Sequence, residues 1–258
     1  MAPLLTVAQA SKRYFDGRHE MLVLDRVSLE IDAGDFVGMW GPKRSGKSTL
    51  LRVMAGIERP DEGEVRFDGR PLRAMSARER ARQLRHGGIA LVSSEWRTQI
   101  VRPVIELVAT ACASDGASMR QARSVARNAL ARVGGADFAE VRTDRLTLGE
   151  RLRTALAMAL AREPRLLLVD EPAVLPGPLE SNELSSLLLS LGEDPDLALV
   201  IASENLAALS GTARTMAVSS GEVRSMDQDG VLVRFPGPSA PRPAPSAPRA
   251  PRAGDARS

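Results

Sequence analysis

The spacing of apolar positions changes several times along the chain, and each change marks an element. "LTVAQASKRYF" and "EMLVLDRVSLEI" carry short apolar runs on either side of "DGRHE", which predicts a turn and an antiparallel β start. After "DAGD", "FVGMW" reads as a buried strand that ends at Gly41. From Lys47, "KSTLLRVMAGI" has helical spacing with no breaker before Gly56, so the order is strand, loop, helix. "DEGEVRFDGRPL" predicts a short hairpin, "SARERARQLR" a charged helix and "GGIALVSS" a further strand. Between Arg102 and Val141 the chain is Ala-rich, with helical periodicity in "PVIELVATACA" and "MRQARSVARNALARV" broken by "SDGAS" and "GGAD". This predicts a helical subdomain over about 95–145. A long helix over Glu150–Arg162 follows, then a buried strand in "RLLLVDEP", a helix in "NELSSLLLSL" and a strand in "LALVIAS". Alternation of this kind predicts an α/β fold whose parallel sheet is covered by helices.

Composition narrows the picture. The 258 residues suit one large domain or two modest ones, and with aromatics at 3% the core must be aliphatic. The formal charge of +3 comes from 35 Lys and Arg against 32 Asp and Glu. From Pro236 the chain reads "PGPSAPRPAPSAPRAPRAGDARS" and holds four of the basic residues and one of the acidic ones, leaving 31 of each in the body. A neutral body gives no electrostatic case for nucleic acid. The segment 236–258 has too little apolar surface to offset its ordering entropy and is expected to be a disordered tail, with residues 1–235 forming the folded body.

Cys112 is the one cysteine, so no intrachain disulfide forms and a reducing compartment is expected. A catalytic thiol needs a nearby histidine, and only His19 and His86 exist, so Cys112 reads as a small buried residue. No signal peptide is expected at "MAPLLTVAQASKRY", and the apolar runs at Leu166–Val169 and Leu197–Ala202 are too short to span a bilayer.

Chemistry concentrates in "GPKRSGKST". Gly41, Gly46, Lys47 and Ser48 satisfy G-x-x-x-x-G-K-[ST] between a strand and a helix, the pattern of a phosphate-binding loop. Glycines let backbone N–H groups turn toward phosphate oxygens, and the helix N-terminus adds partial positive charge. Pro42, Lys43, Arg44 and Ser45 complete the loop; Lys47 would meet the β- and γ-phosphates, and Ser48 or Thr49 would offer a hydroxyl to Mg²⁺. Lys43 and Arg44 stand where small residues are usual: either they add positive charge near the phosphates, or one takes a backbone geometry that suits only Gly, or, as preferred, they point to solvent. At the end of "RLLLVDEP", Asp170 and Glu171 supply carboxylates for a metal ion and an attacking water.

These residues, in this order, resemble the ATP-binding subunit of an ABC transporter, over roughly Leu4 to Arg224. The resemblance implies a P-loop NTPase with a RecA-like parallel-sheet core, an antiparallel β subdomain and an α-helical subdomain. It implies ATP and Mg²⁺ as ligands, adenine stacked on Tyr14 of "SKRYFDG", Asp170 on the metal and Glu171 as the catalytic carboxylate. "RLTLGERLRTALAMALAREPRLLLVDEP" is similar to the family's signature "LSGGQ" with its helix and acidic strand. Leu146 and Gly149 agree with it, Thr147 keeps the hydroxyl, Glu150 replaces Gln, and Leu148 stands where a Gly is usual. In a head-to-tail dimer of such subunits that Leu would hinder approach to the partner's nucleotide.

Further positions depart from the pattern. Ser94 stands for the Gln after the "IALV" strand, and Ser203 for the histidine after "LALVIAS"; both histidines precede Asp170, so none is left for that place. Allowing a short insertion in "PAVLPGPLES", Glu180 stands for the Asp of the intersubunit loop, which Pro176 and Pro178 would stiffen. Losing one transition-state hydrogen-bonding group costs about 100- to 1000-fold in rate. Binding of Mg·ATP with weak or absent turnover is therefore expected.

As a transporter subunit the chain would act with a membrane permease on a separate chain, at the inner face of the cell membrane. It would dimerise with itself or with a better-equipped ATP-binding subunit. "RPLRAMSARERARQLR" and the "RHEMLVLDRVSLEI" start resemble the subgroup serving macrolide export and lipoprotein release. A regulatory nucleotide-binding module that senses ATP without transport shares every binding residue. An ABC-type ATPase of DNA repair would need a long coiled coil between Ser94 and Leu146, and only about fifty residues lie there.

Overall fold

The computed structural model describes residues 2–17, 19–76, 79, 87–93, 98–113, 118–172, 178–226 and 232–233. Two sheets organise it. The first joins β1 (Leu5–Asp16) and β2 (His19–Ile31) to β4 (Glu62–Phe67) and the two-residue β5 (Arg70–Pro71), in the order β2-β1-β4-β5 with antiparallel pairing throughout. This is the antiparallel start and short hairpin that the sequence predicts.

The second sheet has seven strands in the order β11-β10-β9-β3-β8-β7-β6. They are β3 (Phe36–Trp40), β6 (Ile89–Ser93), β7 (Leu166–Asp170), β8 (Ala198–Ser203), β9 (Arg214–Ser219), β10 (Glu222–Met226) and β11 (Leu232–Val233). Neighbours from β9 through β6 run parallel, while β10 and β11 add antiparallel pairs. The β9–β10 hairpin was not read from the sequence. It turns on Ser220 and Gly221, both with positive φ, the conformation that two-residue hairpin turns demand.

Burial on both faces explains the unbroken apolar runs. Leu167 and Val169 of β7, with Leu199 and Ile201 of β8, join one core cluster. Leu166 and Leu168, with Ala198, Val200 and Ala202, join the other. Each such Leu or Val contributes up to about 1.5–3 kcal/mol of burial. Helix α1 (Lys47–Met54) and the antiparallel sheet cover one face through Leu50, Leu51, Leu5 and Leu29. The other face receives α2 (Val104–Cys112), α3 (Met119–Arg132), α4 (Leu148–Leu160) and α5 (Pro178–Gly192), through residues such as Val108, Leu130, Leu156 and Leu188.

Two expectations change. The helix expected over Glu150–Arg162 occupies Leu148–Leu160, because Thr147 caps it two residues earlier than the periodicity suggests. Pro178 lies within α5 instead of stiffening a loop. Its missing N–H is no loss in a first helical turn. Of the charged helix predicted over 76–85, all but Ser76 and Glu79 lie outside the described residues, as do Ser94, Pro176, the side chains of Cys112 and Glu180, and the tail 236–258.

Candidate nucleotide site

The sheet order places β3 between β8 and β9, so the loop following β3 opens at the carboxyl edge of the sheet beside the ends of both neighbours. Ligands of open α/β sheets bind at such crevices. Two glycines shape the loop. A Cβ on Gly41 would lie 2.2 Å from the Val218 carbonyl oxygen and 2.7 Å from Ser45 Oγ. Gly46 has φ 104, and a Cβ there would meet the Val23 carbonyl oxygen at 2.8 Å.

Gly46 is also the N-cap of α1 and provides no side-chain cap. The contrast with α3 and α4 is informative, since both of those close their N-termini with reciprocal capping boxes, Ser118 with Gln121 and Thr147 with Glu150. The first-turn N–H groups of α1 are thus left for an external acceptor, which suits an anion. Ser45 points to the same need: the residue is 7% exposed, and its buried Oγ has no hydrogen-bond partner among the described residues. An orphaned buried hydroxyl of this kind calls for a ligand atom.

Lys47 is buried at 5% exposure, and its Nζ donates to the carbonyl oxygens of Gly41 at 2.7 Å and Pro42 at 3.0 Å. Glu171 Oε1 lies 3.3 Å from Nζ, an ion-pair distance, but among the described residues it accepts no well-directed hydrogen bond. A charged amine this deep requires such partners. Ser48 Oγ donates to Asp170 Oδ1 at 3.1 Å, bringing the two proposed metal-side groups together. Thr49 turns the other way, with Oγ1 3.5 Å from the Tyr14 hydroxyl and accepting from Arg52 Nη2 at 3.3 Å. Of the two hydroxyls considered for a metal, Ser48 is therefore the one beside the carboxylate.

Among the described residues, no group of three or more His, Cys, Asp or Glu could hold a metal ion by itself. Ser48 and Asp170 fit Mg²⁺, which characteristically fills its shell from phosphate oxygens and water.

The Tyr14 hydroxyl donates to Glu58 Oε2, past the C-terminal end of α1, while Arg52 Nε donates to Glu58 Oε1 at 2.5 Å. The Lys12 ammonium stands 5.7 Å from the ring centroid. The partnership with Glu58 and Arg52 had no signal in the sequence, because it joins the antiparallel sheet to the far end of α1.

The chain matches the model of the ABC transporter family over residues 24–174. The chain belongs to the ABC transporter ATP-binding family. An uncharacterized ABC transporter ATP-binding protein of Mycobacterium tuberculosis is 32% identical over 79% of this chain and 82% of its own length. The lipoprotein-releasing system ATP-binding protein LolD of Bdellovibrio bacteriovorus is 35% identical over 76% of this chain and 88% of its own. The dimeric ATP-binding cassette MJ0796, in a post-hydrolysis state bound to ADP and Pi, superposes with a TM-score of 0.77 at 25% identity, covering 86% of this chain and 98% of that one.

The remaining positions of this ABC chain sort by side-chain placement. Lys43 and Arg44 are exposed, as expected of solvent-directed residues, and Arg44 holds a left-handed backbone with φ 62. Leu148 is 42% exposed at the first turn of α4. Thr147 Oγ1 accepts from Glu150 N at 3.3 Å, and Glu150 Oε2 accepts from Thr147 N at 2.8 Å, so both side chains are engaged within their own turn. Gly149 follows Leu148 inside the helix. Ser203 is buried at the end of β8, where its Oγ accepts from Asn205 N at 3.1 Å. Among the described residues, no helix is long and apolar enough to cross a membrane.

Proposed function

We propose that this ABC chain binds Mg·ATP in the loop Gly41–Thr49 and couples that binding to a membrane permease on a separate chain, with slow hydrolysis of its own. The observation that carries the nucleotide reading is the uncapped start of α1 beside the buried, unpartnered Ser45 Oγ, with Lys47 enclosed by the same loop. Bound there, Mg·ATP supplies a γ-phosphoryl group whose transfer to water releases free energy. Loop N–H groups and Ser45 would hold phosphate oxygens, and Lys47 would leave the Gly41 and Pro42 carbonyls to neutralise them. Ser48 and Asp170 would hold the metal side, and Tyr14 would present its ring to the base. Glu171, released from Lys47, would polarise the attacking water.

Turnover is weak in this reading because Ser203, whose Oγ accepts from Asn205 N, is too short to reach a γ-phosphate as an imidazole would. In a dimer, the exposed Leu148 would stand between α4 and the partner's nucleotide, which favours pairing with a better-equipped subunit. Kinship with the ATP-binding protein of a lipoprotein-releasing system supports work at the inner face of the cell membrane through a permease.

Calorimetric titration with Mg·ATP tests the binding: Lys47→Ala is expected to lose at least about tenfold in affinity. Hydrolysis by the purified chain at several per second, lost in Lys47→Ala, would overturn the slow-turnover reading. Ser203→His is expected to raise hydrolysis about tenfold or more. Co-purification with a spanning permease supports the transport role, and capture by soluble partners alone contradicts it.

A further inference from the structure

Trp40 closes β3 directly before the phosphate loop, and the mechanism above makes no use of its indole N–H. That group donates to the backbone carbonyl of Glu204 at 3.0 Å, across 164 residues of sequence. On the other side of the Glu204 Cα, its backbone N–H donates to Glu171 Oε2 at 3.4 Å. Gly41 N reaches the Ser203 carbonyl at 3.3 Å, so the end of β3 and the loop after β8 are joined at two points. Glu171 itself sits at φ 44 just past β7, with its own N–H on the Ala202 carbonyl at 2.9 Å.

These contacts form a relay. One Glu171 oxygen faces Lys47 and the other receives the Glu204 N–H, which together set the rotation of the carboxylate. Gly41 N–H holds the carbonyl of the peptide that carries this N–H, and the indole bond holds the next peptide, so the two together fix the backbone on both sides of the Glu204 Cα. A Trp ring suits this task, being rigid about two torsions and able to donate from a largely apolar surrounding.

We propose that Trp40 is a positioning residue for Glu171, acting through the Glu204 backbone. The proposal rests on reading Glu171 as the water-polarising carboxylate, although the relay itself can be measured without turnover. In the full chain, hydrogen exchange of the Glu204 amide is compared between wild type and Trp40→Phe. Exchange is expected to rise at least about tenfold in the variant while amides of β7 and β8 stay protected and Mg·ATP affinity changes less than about twofold. Equal exchange in the two proteins would overturn the relay.

A second measurement avoids the variant's packing. In Trp96→Phe, Trp40 carries the remaining indole, whose N–H should exchange slowly; exchange at the rate of a free indole would also overturn the relay. Single-turnover hydrolysis then separates the two readings. A fall in rate in Trp40→Phe at unchanged affinity, alongside loss in Glu171→Gln, supports positioning. Loss in Glu171→Gln with an unchanged rate in Trp40→Phe overturns it, and an unchanged rate in Glu171→Gln removes the catalytic reading of Glu171 instead.

Discussion

Arg44 offers a graded test of the loop. Its φ of 62 lies in the left-handed region, which costs a residue with a Cβ about 1–2 kcal/mol. Among the described residues its side chain makes no hydrogen bond or ion pair that would offset this, and it is exposed. Arg44→Gly removes the strain but restores unfolded-chain entropy of about 0.5–1 kcal/mol. The net gain should be about 0.5–1 kcal/mol, a rise in Tm of about 1–4 °C for a chain of this size. Asn tolerates this backbone better than Arg, whereas Val adds branching at Cβ, so stability should fall in the order Gly, Asn, Arg, Val. Thermal and urea unfolding of the four proteins measure the order. Mg·ATP affinity should stay within about twofold for Arg44→Gly, because the side chain is exposed to solvent. Equal stability across the series, or Val as stable as Gly, would refute the backbone argument. A tenfold loss of affinity in Arg44→Gly would show that the side chain serves the phosphates after all.

Gly41→Ala forces a Cβ to within 2.2 Å of the Val218 carbonyl, so urea unfolding should show about 1–3 kcal/mol of lost stability and titration a loss of Mg·ATP binding. Thr147→Ala removes one arm of the α4 capping box and should cost about 1 kcal/mol, with Thr147→Ser restoring most of it; equal stability of all three would sink the cap. The Asp61 carboxyl is held below its usual range chiefly by the Arg13 backbone N–H, which outweighs the opposing effect of burial, with Lys12 adding to the lowering. A lowered carboxyl stabilises fully above its unfolded pKa of about 3.9 and loses that contribution as pH falls through the lower folded value. Unfolding measured between about pH 2 and 5 should therefore show a shallower acid loss in Asp61→Asn than in wild type.

Much of this architecture was legible because burial on both faces leaves an unmistakable mark. The four-residue run Leu166–Val169 had to be an interior strand, and the glycine spacing of the phosphate loop carries its own backbone geometry. The start of α4 lies two residues before the point that apolar periodicity indicates, because periodicity does not register the capping box that "TLGE" contains. The Tyr14 partnership with Glu58 and the Trp40 bond to Glu204 were invisible for a different reason. Each joins residues far apart in sequence, 44 and 164 positions, through pairings that only the assembled sheets bring about.

The Lys47 ammonium already occupies the centre of its own loop, bound to the carbonyls that a nucleotide would leave behind it. On the proposed reading, nucleotide capture exchanges these carbonyl partners for phosphate oxygens within a loop whose backbone shape Gly41 and Gly46 dictate. Binding of this kind buries little new apolar surface. Its signature is a small heat-capacity change, with an enthalpy that nearly repeats itself from one temperature to the next.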